Sequence, residues 1–72
     1  MNGLIQRVEA GIQKQTFAQL MGFRVEEAEE GRVVISCERR ADLLQQTGLL
    51  HGGVTGALCE AAAGYAALTI LP

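Results

Sequence analysis

The sequence predicts an α+β fold: a helix, an antiparallel hairpin, a glycine-bearing loop and one long, small-residue helix. Three observations carry this reading. Apolar residues recur at spacings of three and four near the N-terminus, a β-branched run alternates at period two in the middle, and the last third is apolar on almost every side. At 72 residues the chain holds at most one domain, spanning 1–72. A domain of that size buries only about 60% of its unfolded surface and is marginal alone. Hydrophobic residues make up 49% of the chain and aromatic ones 4%, so its apolar content is mainly Ala, Leu and Val, much of it after Gly48. That distribution predicts a C-terminal segment in need of cover.

From Leu4 to about Leu20, the residues Leu4, Ile5, Val8, Ile12, Phe17 and Leu20 mark one helical face, with Gln6, Arg7, Glu9, Gln13 and Lys14 opposite. Gly11 weakens the middle, so two shorter helices would also fit, and Gly22 ends the segment. Phe23–Glu29 reads as a first strand, with Phe23 and Val25 on one face and Arg24 and Glu26 on the other. Glu30-Gly31 is a turn. Arg32–Glu38 is the strongest strand, with Val33, Ile35 and Cys37 on one face. A connection from Arg39 to Leu50 leads to Gly52-Gly53 and a helix reaching about Leu71, with Val54, Leu58, Ala61, Ala62, Tyr65 and Leu68 on one broad face. Small, apolar residues around the rest predict a buried helix. Two strands cannot wrap a helix of about 18 residues, roughly 27 Å long. The remaining strands should follow residue 72 or come from another chain, as in a truncated domain.

Charge and composition exclude several classes. A net charge of -2 without a basic stripe argues against nucleic acid as a partner. Cys37 and Cys59 stand far apart with no CxxC pair, which argues against a structural metal or a disulfide framework and fits reduced thiols in the cytoplasm. The N-terminus has no signal-peptide core. The last 20 residues are apolar, but Glu60 lies among them, and a mid-membrane carboxylate costs about 2.5–3.5 kcal/mol. A membrane partner is therefore not expected.

Chemistry concentrates between Gln45 and Glu60. His51-Gly52-Gly53 stands at a helix start, where backbone N–H groups lack internal partners and the macrodipole is positive. Glycine lets a ligand approach that backbone, so these amides suit a carbonyl oxygen that becomes negative. Glu60 lies about two turns on, among small apolar residues, where burial would raise its pKa and poise it for proton transfer; the blander alternative is a carboxylate facing solvent or paired with an arginine. The eight residues from Gly52 to Glu60 span about 12 Å of helix. Groups acting on one carbonyl must lie within about 3–3.5 Å of it. One chain therefore cannot easily bring both to the same carbonyl, whereas two antiparallel copies would set Gly52 of one against Glu60 of the other.

Gln45, Gly48, His51, Gly52, Gly53 and Glu60, in this register after a helix and the hairpin LMGFRVEEAEEGRVVISCE, resemble the hotdog-fold thioesterase superfamily, in particular its PaaI-like branch and the 4-hydroxybenzoyl-CoA thioesterase type that uses a glutamate. The likeness spans nearly the whole chain but about half a family domain. It implies a long central helix wrapped by an antiparallel sheet, here only its N-terminal half, and an acyl-CoA thioester hydrolase working as a homodimer or tetramer. It also implies roles. Glu60 is nucleophile or general base. Gly52 N–H is the oxyanion donor, with Gly53 and Gly48 forming the substrate-binding backbone. Gln45 orients the thioester or the attacking water. His51 positions the loop or bonds the thioester oxygen. No cofactor is implied, coenzyme A entering as part of the substrate, and no metal, since His51 has no second ligand at a suitable spacing.

One departure is Gly64, where related enzymes with a glutamate place Ser or Thr one turn after the acid. Cys59 adjoins Glu60 but points about 100° away, and is read as core. A non-catalytic acyl-binding or assembly module is the alternative to the enzyme, and a small membrane-associated helix protein is the third reading.

Overall fold

The computed structural model describes residues 3–71. In order these form α1 (Leu4–Gln13), α2 (Thr16–Met21), β1 (Arg24–Glu29), β2 (Arg32–Ser36), a single 3-10 turn (Ala41–Leu43) and α3 (Gly52–Leu68). The α+β order of helix, hairpin, loop and long helix is the predicted one. The N-terminal helix divides in two, at Lys14-Gln15 rather than at Gly11: Lys14 N–H still bonds back to the Gly11 carbonyl and Gln15 N–H to that of Ile12, and Gln15 is extended. That break reorients the second piece. Ala18 turns inward beside Val8 and Ile12, while Phe17 and Leu20, expected on the apolar face, are exposed. Phe17 meets Phe23 edge to face, with ring centroids 6.2 Å apart. Gly22 closes α2 in the left-handed conformation at φ 76°, a backbone state open to glycine at little steric cost.

β1 and β2 pair antiparallel across a turn at Glu30-Gly31. The register runs Arg24↔Ser36, Val25↔Ile35, then Glu27↔Val34 and Ala28↔Val33. Glu26 is thus the extra residue of a β-bulge. The simple alternation expected from the sequence fails there, and the bulge is why Ala28 faces inward together with Val25. Ser36 Oγ donates to the Glu26 carboxylate at 2.5 Å on the outer side. Val33, Ile35 and Cys37 share the core face as predicted. The Cys37 thiol donates to the Met21 carbonyl at 3.1 Å.

α1 packs on β1 and α3 on β2, so the two helices lie side by side over one face of the hairpin. Val54 is the buried residue of α3, with Ala57, Leu58, Ala61, Tyr65 and Ala66 half-buried against the core. Past the helix end, Thr69 Oγ accepts from Gly31 N–H at 2.7 Å and donates to the Ala66 carbonyl at 2.6 Å, tying the hairpin turn to α3. The prediction of a helix buried all round is corrected. Cys59, Glu60, Ala63, Gly64, Ala67 and Leu68 are exposed, and Cys59 is not core. Two strands cover one side of a helix, and the opposite side of α3 has no cover among the described residues. No helix among the described residues is long and apolar enough to cross a membrane.

Candidate functional site

The loop before α3 is a miniature hairpin. Leu44 bridges Leu50, Gln45 N–H donates to the Leu49 carbonyl at 2.8 Å, and Gly48 N–H donates to the Gln45 carbonyl at 2.9 Å. Gly48 sits at φ 85°, which explains glycine there by backbone conformation alone. Arg39 donates to the Gly48 carbonyl at 3.1 Å and holds the loop tip. The Gln45 side chain, half-buried, donates to Thr47 Oγ1 at 3.1 Å. Gln45 and Gly48 therefore serve the loop's own hydrogen bonding in the single chain.

His51 links this loop to the helix. Its N–H donates to the Leu43 carbonyl at 2.9 Å, and its ring Nδ1 accepts from Gly53 N–H at 2.8 Å, so the imidazole is the N-cap of α3. Two consequences follow for the amides. Gly53 N–H is taken by the ring in the single chain. Gly52 N–H has no acceptor among the described residues and lies at the exposed, positive end of a 17-residue helix. The absence of side chains at the two glycines also has separate causes. A Cβ at Gly53 would stand 3.1 Å from His51 Nδ1, whereas a Cβ at Gly52 would meet nothing within 4 Å. Internal packing thus explains Gly53 but leaves Gly52 open toward an outside group.

Glu60 follows on the same unbroken helix. It is exposed, contrary to the expected buried carboxylate, and takes no part in the ion pairs of the described residues, which join Arg32 to Glu27 and Glu29 and Arg40 to Asp42. It lines an open cleft of about 720 Å³ between α3 and the α2 region, shared with Gly53, Gln15, Phe17, Phe23 and Tyr65. The acid and the capped helix start thus border one concavity, while Gln45 and Gly48 stay in the loop beyond it. The 12 Å rise between Gly52 and Glu60 is preserved by the continuous helix. No three His, Cys, Asp or Glu side chains cluster as metal ligands among the described residues.

The sequence reading missed the wall opposite Glu60. Gln15 Nε2 donates to the Tyr65 hydroxyl at 2.7 Å, and the Tyr65 ring lies against Gly11 so closely that a Cβ there would be 2.9 Å from ring Cε1 and from the hydroxyl oxygen. A signal was present. Glycine in a helix interior costs about 1 kcal/mol relative to alanine, and close approach of another group is one reason to keep it.

The chain is similar to a solved structure, that of a thioesterase family protein from Silicibacter pomeroyi, with 30% sequence identity and a TM-score of 0.88. The match covers 97% of this chain and 52% of that one, so this chain spans about half the length of that protein. No protein-family model and no curated protein matches the chain.

Proposed function

We propose that this chain carries half of a hotdog-type acyl-CoA thioesterase site, of the PaaI-like or 4-hydroxybenzoyl-CoA thioesterase kind, completed by a second copy. The observation that carries the proposal is the unpartnered Gly52 N–H at the start of α3, eight residues before a carboxylate on the wall of an apolar-sided cleft. The likeness to a thioesterase family protein supports the same reading. Gly52 N–H receives the thioester oxygen as it gains charge in the tetrahedral state. Glu60 of the other copy either attacks the carbonyl carbon, expelling the coenzyme A thiolate and leaving a mixed anhydride that water then hydrolyses, or takes a proton from the water that attacks that carbon. The products are a carboxylic acid and the coenzyme A thiol, whose sulfur regains the proton. His51 positions the Gly52-Gly53 backbone through its cap, Gln45 and Gly48 shape the loop that faces the thioester, and no cofactor takes part. The two free cysteines suit a reducing cytoplasm.

The pairing geometry also accounts for the exposed acid. In an antiparallel pair with Gly52 against Glu60, the two-fold axis falls beside Gly56, midway between them. A Cβ at Gly56 would meet nothing within 4 Å, so close helix approach is unobstructed there. Pairing would bring Glu60 into a low-dielectric interface, where charge stabilisation is stronger.

The test is thiol release from a panel of aromatic, aliphatic and hydroxylated acyl-CoAs by the wild-type chain and by Glu60→Gln. The variant is expected to fall at least about a hundredfold, the low end for loss of an acid–base group, with its circular dichroism unchanged. Undiminished hydrolysis by the folded variant would remove Glu60 from the mechanism. A second reading, an acyl-binding or assembly module without turnover, is favoured by Gly64, which offers no hydroxyl beside the acid, and by the half-length match. Saturable binding of acyl-CoA by the wild-type chain without thiol release would decide for it.

A further inference from the structure

We propose that Tyr65 is the end wall of the acyl site and sets the length of acyl chain that the cleft accepts. This rests on the reading that the Glu60 cleft receives the acyl group of a thioester. Tyr65 borders two cavities: the 720 Å³ cleft that contains Glu60, and a smaller one of about 170 Å³ walled by Leu4, Arg7 and Val8 of α1. The ring reaches from α3 to α1 and stands between them, with Leu68 completing the partition.

The ring is fixed in that position from two sides. Its edge rests against the backbone of α1 at Gly11, where even a methyl group would lie 2.9 Å away, and its hydroxyl accepts the Gln15 amide at 2.7 Å. A side chain held at both its flank and its tip is a stop that a flexible alkyl tail cannot displace without breaking contacts. Along α3 the stop lies five residues past Glu60, about 7.5 Å of rise. The cleft therefore suits an acyl group that ends near the ring, its sides formed by Phe17 and Phe23. Beyond the ring lies space that a longer tail would fill if the partition were removed.

The test uses two ligand series on the full chain, straight-chain acyl-CoAs for hydrolysis and the corresponding non-hydrolysable S-alkyl-CoA thioethers for binding. The wild type is expected to bind more tightly as the chain lengthens up to a limit, and more weakly past it. Tyr65→Ala should move that limit to longer chains and raise the long-to-short ratio of kcat/KM at least about tenfold, the least that a fitted or rejected methylene is worth in an apolar pocket. If Tyr65→Ala does not fold, Tyr65→Leu carries the same expectation with a smaller loss of packing. Tyr65→Phe, which keeps the ring against Gly11, should retain the wild-type limit. An unchanged limit in folded Tyr65→Ala or Tyr65→Leu, or wild-type binding indifferent to chain length, overturns the partition. Wild-type hydrolysis with an unchanged limit would leave the thioesterase reading standing alone. Thioether binding whose limit moves in the variants, without hydrolysis by any of them, would refute the hydrolase and support the partition.

Discussion

At the scale of single residues, the start of α3 distinguishes groups that the sequence presents as one motif. His51, Gly52 and Gly53 are adjacent, yet they do three separate things. His51 supplies an acceptor, Gly53 gives up its N–H to that acceptor, and Gly52 keeps an open amide. Substituting the cap tests this division. His51→Ala removes the acceptor and should lower stability by about 1 kcal/mol, the usual cost of losing an N-cap. His51→Asn replaces one good cap with another and should recover most of that loss. Chemical denaturation of the three proteins measures both effects, and equal stability of the alanine and wild-type chains would show the cap to be energetically idle. If His51 serves the site only through the cap, the asparagine variant should also recover thioester hydrolysis.

At the scale of elements, the hairpin and α3 show how local irregularity serves packing. The bulge at Glu26 rephases β1, so that both Val25 and Ala28 face the helices across an otherwise charged strand. Around the turn, Arg32 donates to Glu27 at 2.6 Å and to Glu29 at 3.0 Å. The hydrogen bond to Glu27 and the charge of the same carboxylate raise the Arg32 pKa. A raised pKa favours the protonated folded form at every pH below the unfolded value and loses that advantage only as pH rises through the folded value. Both lie in strong alkali, so this cluster gives no pH dependence near neutrality. On α3, the exposed glycine at the midpoint between Gly52 and Glu60 is the position most sensitive to helix pairing. Gly56→Leu should leave the single-chain fold unharmed, since its new side chain has open space, while on the proposed pairing it separates the two helices and abolishes the proposed hydrolysis. Sedimentation would report the loss of dimer. A Gly56→Leu dimer as stable as the wild type would place the pairing elsewhere.

At the scale of the molecule, exposed surface is the dominant fact. The chain presents 4968 Å² to solvent, whereas a compact monomer of 7.7 kDa presents roughly 4300 Å². The excess of roughly 650 Å² approaches the 800 Å² or so that each partner contributes to a standard interface. The overall extents of 42 × 19 × 17 Å describe an elongated, rod-like body. Leu68, Ile70 and Leu71, all more than half exposed, extend the open surface past the end of α3. Burying such a surface between copies should make the melting temperature rise with protein concentration, because association draws the equilibrium away from the unfolded chain. Differential scanning calorimetry over a hundredfold range of concentration checks this, and a constant melting temperature would mean that the chain is stable as a monomer.

The elements themselves were legible in the sequence because their signals are local. The period-two run Arg32–Glu38, of which Arg32–Ser36 forms β2, the turn glycine at 31, the stop at Gly22 and the long small-residue helix all depend on backbone preferences of a few neighbouring residues. The register of Gln45, Gly48, His51, Gly52, Gly53 and Glu60 was likewise readable as a pattern. Which of those groups is free, engaged or covered depends on residues far away in the chain, and tertiary structure alone decides it. Glu60 and Cys59 are exposed because the hairpin reaches only the other side of their helix. Phe17 turns outward because the chain bends at Gln15, a break that no apolar periodicity marks. Tyr65 gains its place as a wall only when α1 and α3 lie side by side, which brings residues 11 and 65 together across 54 positions of sequence.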